Sequence, residues 1–136
     1  MGVRRKARET ALQVLYGVDY EHASSSAVGE RYWTLSETST EVRVYAQKLI
    51  DGVLGNRDRI DDAIRDASIN WKLERMAVVD RNVLRIAVYE LIFLEDVPER
   101  VSLNEAIEIV KRYGAEESGA FINGILDRIQ SGVREA

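Results

Sequence analysis

The 136-residue chain contains no cysteine, which removes disulfides and thiolate nucleophiles and fits a reducing compartment. It contains one histidine, His22, in a loop-like stretch with no Ser or Asp partner to make it a general base. Its nine glycines never gather into a phosphate-cradling loop or a dinucleotide fingerprint. No Asn-Gly or Asp-Gly stands between alternating runs, so β-hairpins have no signal. The one Asn-Gly, Asn123-Gly124, falls inside a helical pattern. No apolar signal core opens the chain and no apolar run reaches membrane-spanning length. The expectation is a cytoplasmic protein with no membrane contact. Asp58, Asp61 and Asp62 share a turn but lack an oxygen-ligand loop spacing, and read as a solvated face. Neither a metal nor a cofactor is expected, and catalysis has no support.

What the chain does have is helix-forming composition, rich in Ala, Leu, Ile, Glu and Arg, with a single proline at Pro98. Its length suffices to bury a core. One domain over residues 1–136 is expected, with an N-terminal half of about 1–70 and a C-terminal half of about 71–136. The organising stretch is Val79 to Leu94, where eleven of sixteen residues are apolar and no Gly or Pro intervenes. Its apolar side chains point almost all round a helix, which predicts a buried post with neighbours on several sides.

The flanking segments are amphipathic. The first helix spans residues 3 to about 20, with a core stripe of Ala7, Ala11, Val14, Leu15 and Val18. Gly17 in its midst predicts a close helix approach. A short helix over 27–35 uses Val28, Tyr32 and Trp33. Thr38 and Glu41 have capping-box spacing before a helix ending at Gly55-Asn56. Another helix covers about 57–68. The stretch from Ile69 to Met76 is irregular, with Trp71 packed there. Ser102 and Glu105 form a second capping-box pattern, Gly114 suits a left-handed stop, and Glu116 and Glu117 sit where a last helix begins.

Two features exceed packing. The net charge of −4 argues against nucleic acid, yet Arg4, Arg5, Lys6 and Arg8 crowd the first helix, leaving the body more acidic still. The face opposite the core stripe carries Arg5, Glu9, Gln13, Tyr16 and Tyr20, with Arg8 at its edge. Arginines beside tyrosines can hold phosphates and stack on unpaired bases. Equally, the tyrosines can cover a neighbouring helix. Second, Asp80 and Glu90 fall in the most apolar arc of the central helix, where a lone carboxylate is costly. Asp80 can cap the first turn. For Glu90, either Arg81 or Arg85 pairs with it, or the arc faces another protein with Tyr89 as a second anchor. On the partner reading, Glu90→Ala spares the fold.

The runs VVDRNVLRIAVYEL, VPERVSLNEAIEIVKRYG and AEESGAFINGILDRI, with RRKARETALQVLY at the start, resemble the NusB family of bacterial transcription antitermination factors. The resemblance covers nearly the whole chain and is strongest over 76–130. It implies an all-α fold of about seven helices, in two small bundles packed around the central helix. It implies a non-catalytic protein that pairs with the small-subunit ribosomal protein NusE. The pair binds single-stranded boxA RNA of nascent ribosomal transcripts, and with other Nus factors helps RNA polymerase read through terminators. Carried over by motif, RNA contacts fall on Arg4, Arg5, Arg8, Gln13, Tyr16 and Phe121, and the NusE interface on Asp80, Arg81, Tyr89 and Glu90. Many members have a basic residue before that Phe, where this chain has Ala120. The family also implies two alternatives: the RNA-binding domain of a ribosomal RNA cytosine methyltransferase, and a homodimerising helical module.

Overall fold

The computed structural model describes residues 2–22, 24, 26–30 and 38–135. Helix α1 spans Val3–Glu21, α2 Thr40–Gly55, α3 Arg57–Ala67, α4 Val78–Phe93, α5 Glu99–Tyr113 and α6 Ser118–Glu135. A further helical stretch covers 26–30, and a 3-10 turn, Leu73–Arg75, interrupts the link from α3 to α4. No strand occurs among the described residues. Tyr32 and Trp33, expected in the short second helix, lie outside them.

Helix α4 is the post that its composition predicts. Ten of its sixteen residues are buried, and it packs against every other numbered helix. Because α4 is apolar nearly all round, no single neighbour can cover it. Helices α1 and α2 pack on each other and on one side of it, while α5 and α6 close another side. One apolar cluster runs through Leu15, Leu49, Ile60, Leu84, Val110 and Ile125, so residues from both halves share it. The α1 stripe is buried at Ala7, Ala11, Val14 and Leu15, with Val18 half-covered.

Two glycines hold helices close. A Cβ on Gly17 would stand 2.7 Å from a Val28 methyl, which is the expected close approach. A Cβ on Gly52 would overlap the Tyr89 ring, so α2 meets α4 only because that position has no side chain.

Several local signals resolved differently. The cap of α2 is Ser39, which accepts from the Val42 N–H, one residue on from the expected Thr38. Helix α5 opens one turn before the Ser102–Glu105 pattern, with Pro98 at its N-cap (φ −59°). Ser102 is therefore interior, and its hydroxyl serves another purpose described below. Gly114 is extended (φ −100°) rather than left-handed. Its requirement is steric, since a Cβ there would meet the Val110 carbonyl at 2.8 Å. The left-handed stop occurs instead at His22 (φ 55°), which ends α1. Trp71 is 54% exposed instead of packed.

Candidate functional site

On α1 the residues sort by helical face. Arg4, Gln13, Tyr16 and Tyr20 are exposed and Arg5 is half-exposed. Tyr16 and Tyr20, one turn apart, stack with ring centres 5.7 Å apart and planes 13° from parallel. They make a flat aromatic step on the surface. Arg5 holds Glu105 of α5 in a two-pronged pair, Nε to Oε2 at 2.7 Å and Nη2 to Oε1 at 3.1 Å. Arg4 reaches Asp96 at 3.3 Å and lies over the Tyr45 ring. Glu9 accepts from Arg112 at 3.3 Å and from the Tyr113 hydroxyl at 2.7 Å, which draws the end of α5 onto this face. The first helix thus presents cations oriented by carboxylates near its start and stacked aromatic rings toward its end.

Arg8 does not join them. It is 3% exposed and points inward to Glu90, which is 1% exposed. Arg8 Nε lies 3.0 Å from both Glu90 oxygens. Its Nη2 is 2.9 Å from Oε2 but off the hydrogen-bonding direction. The Tyr45 hydroxyl donates to Glu90 at 2.6 Å and the Ser102 hydroxyl at 3.2 Å. Burial, and then the hydrogen bond and charge of Glu90, raise the Tyr45 hydroxyl well above its ordinary pKa. This network answers the question posed by a carboxylate in an apolar arc. Its partner comes from α1, neither from Arg81 or Arg85 nor from outside. Glu90 is thus removed as an interface residue, and Arg8 as a surface contact for RNA.

Arg81 and Arg85 are spent elsewhere. Arg81 holds Asp19 at 2.6 and 2.8 Å. Arg85 holds Asp61 at 2.9 and 3.2 Å and also reaches Asp19 at 3.0 Å. Burial pushes the Asp19 carboxyl up, but hydrogen bonds from Arg81 and Asn82 and the Arg85 charge outweigh it, leaving a pKa of about 2. Asp61, expected on a solvated face, is buried in this network. Tyr89 is also inside, stacked on Phe93 and lying over Gly52. Of the four residues assigned to a protein partner, Arg81 alone is more than marginally exposed, and its guanidinium is engaged.

Asp80 is buried at the start of α4 but does not cap it; the N-cap is Ala77. Its Oδ2 accepts from Ser118 at 3.1 Å, and its Oδ1 has no hydrogen-bond partner. Burial raises its pKa, the Ser118 hydrogen bond opposes this, and the Glu117 charge adds to it. Asp80 and the half-buried Phe121 line one cavity of about 500 Å³, which also reaches Trp71. That cavity is not legible from spacing, since its walls come from two separated stretches, 71–80 and 115–121. Among the described residues no cluster of His, Asp and Glu could hold a metal, and no helix is long and apolar enough to cross a membrane.

An all-helical protein with a cationic, aromatic first-helix face and a buried ionic core belongs, as a class, with helical binding proteins. The comparisons make that specific. The NusB family model matches residues 5–131. The transcription antitermination protein NusB of Sorangium cellulosum is 50% identical over 129 residues, covering 95% of this chain and 92% of that protein. A structure of T. maritima NusB superposes with a TM-score of 0.86 at 42% identity, covering 94% of this chain and 90% of the other. A crystal structure of antitermination factors NusB and NusE in complex with dsRNA contains a chain that superposes at 0.85 and 30% identity, covering 97% and 98%. The chain belongs to the NusB family.

Proposed function

We propose that this protein is a non-catalytic RNA-binding transcription antitermination factor of the bacterial cytoplasm. It binds boxA RNA of nascent ribosomal transcripts together with NusE, and helps RNA polymerase, with other Nus factors, to read through terminators. The observation that carries this reading is the exposed surface of α1, which carries Arg4 and Arg5 in its first turn and Gln13 and the stacked Tyr16–Tyr20 pair further along. Cations fix a phosphate chain, while flat rings accept unpaired bases of any identity. Single-stranded RNA suits such a face better than duplex, whose bases are not splayed. Arg8 supports the face from beneath by pinning α1 to α4.

The antitermination reading is favoured over a methyltransferase domain because the Sorangium protein, matched over 92% of its length, carries the antitermination name. NusE meets this protein away from Tyr89 and Glu90, which the core encloses. The test is a titration of boxA RNA into the protein with and without NusE, with sedimentation to follow self-association. NusE should tighten RNA binding, since two surfaces then share one strand. No gain on adding NusE removes the adaptor role, and a homodimer that dissociates before binding RNA identifies self-pairing as a competing state.

A further inference from the structure

Tyr45 of α2 ties the buried ionic core to the cationic start of α1. Its hydroxyl donates to Glu90 at 2.6 Å, and burial together with that carboxylate keeps the proton on the phenol. Its ring packs on Ala7, Val42 and Ala46, so both ends of the side chain are held. The Arg4 guanidinium lies over this ring, with its central carbon 4.8 Å from the ring centre.

Arg4 stands in the first turn of α1 and is half exposed. An unsupported arginine there would sample many rotamers, and a phosphate would have to freeze them. The Tyr45 ring restricts them beforehand. It attracts the cation through its electron-rich face, which leaves the guanidinium N–H groups available as donors. Asp96 accepts from Arg4 Nη2 at 3.3 Å, but both side chains are exposed, so that pair is weak and gives way to a phosphate. Arg5 is held differently, because Glu105 occupies its Nε and Nη2, the donors that a phosphate needs. Arg4 is therefore the arginine that is both oriented and open. We propose that Tyr45 is a positioning residue for RNA binding: its ring, anchored by Glu90, holds the Arg4 guanidinium ready for an RNA phosphate. This rests on the RNA-binding reading above. Tyr45 itself acts only through Arg4.

The test combines NMR of the full chain with boxA RNA binding by Tyr45→Phe, Tyr45→Leu and Arg4→Ala. In the parent, the ring should shift the Arg4 Nε–H and δ-methylene protons upfield before any RNA is added. Tyr45→Phe keeps the ring, and should keep that shift and most of the affinity, while the lost hydroxyl lowers its melting temperature. Tyr45→Leu should lose the shift and bind boxA RNA about two- to fivefold more weakly, the scale of one exposed cation–π contact. In an Arg4→Ala background, Tyr45→Leu should cause no further loss, since the ring then has nothing to hold. Melting curves set a temperature at which every variant is folded. A purely structural role gives additive losses in the double variant, and that result overturns the proposal. Unshifted Arg4 protons in the parent overturn it whether or not Tyr45→Leu folds. A Tyr45→Phe variant as weak as Tyr45→Leu overturns it as well. If Arg4→Ala weakens binding while Tyr45→Leu does not, the role of Tyr45 fails alone; if the parent binds no boxA RNA, the RNA reading fails and the proposal with it.

Discussion

Removing the Glu90 carboxylate should damage the fold, not merely a surface. Glu90→Ala leaves Arg8, 3% exposed, with its charge buried and its main acceptor gone. It also strands the Tyr45 and Ser102 hydroxyls, both of which donate to Glu90. Breaking a buried ion pair from one side costs about 3–5 kcal/mol, because the surviving charge is uncompensated. The change occurs at the crossing of α1, α2, α4 and α5, so the tertiary structure has little room to relax. For a chain of this size that loss lowers the melting temperature by about 10–20 °C. In urea the midpoint should fall by about 2 M, with an unchanged slope. Arg8→Ala should be similarly harmful. The double variant Arg8→Ala/Glu90→Ala should cost less than the sum of the two, since each single change strands a partner. An isosteric apolar pair, Arg8→Met with Glu90→Leu, should restore much of the stability. If Glu90→Ala melts within a degree or two of the parent, the buried-pair account is wrong and the carboxylate is available to a partner.

Other outcomes follow from the same geometry. Gly52→Ala should destabilise by about 1–3 kcal/mol in thermal melts, because its methyl would overlap the enclosed Tyr89 ring. The Asp19 carboxyl, held at about 2, titrates below its ordinary value, so its contribution to stability is present above the ordinary carboxylate range. That contribution disappears as pH falls from about 4 through 2; across this window the urea midpoint should fall more steeply with pH in the parent than in Asp19→Asn. Glu105→Gln releases Arg5 from its two-pronged pair, and should tighten boxA RNA by a few-fold at low salt. Equal affinities in filter binding would mean that Glu105 does not compete with phosphate.

The parts of the fold that obey one helix's periodicity were legible in the sequence. The α1 stripe from Ala7 to Leu15 and the all-round apolar α4 read directly, because each depends only on local spacing. The surface placement of Tyr16 and Gln13 followed from the same arithmetic. Pairings across the chain did not. Arg8 sits at the edge of the α1 face, and nothing local distinguishes an edge arginine turned outward from one turned toward a carboxylate 82 residues away. The signal was there in complementary form, as one edge arginine and one apolar-arc glutamate, but joining them requires knowing that α1 crosses α4. Ser102 shows a related failure. Its spacing to Glu105 imitates a capping box, while its hydroxyl is needed inside the helix for Glu90. Pro98 was the better start signal, since its fixed φ suits a helix entry. Trp71 is expected to pack in the irregular stretch, yet it is exposed. Its exposure follows from the 3-10 turn Leu73–Arg75, which carries Leu73 inward while the indole is tied to the outer backbone at Arg75.

The most direct test of the account is the affinity for boxA RNA across a salt series, measured for the parent and for Arg5→Ala. The account predicts that affinity falls steeply with salt in the parent, and that Arg5→Ala binds more weakly with a slope shallower by about one ion. Superimposable salt plots for the two proteins would contradict it, and would remove the first helix from the RNA-binding surface.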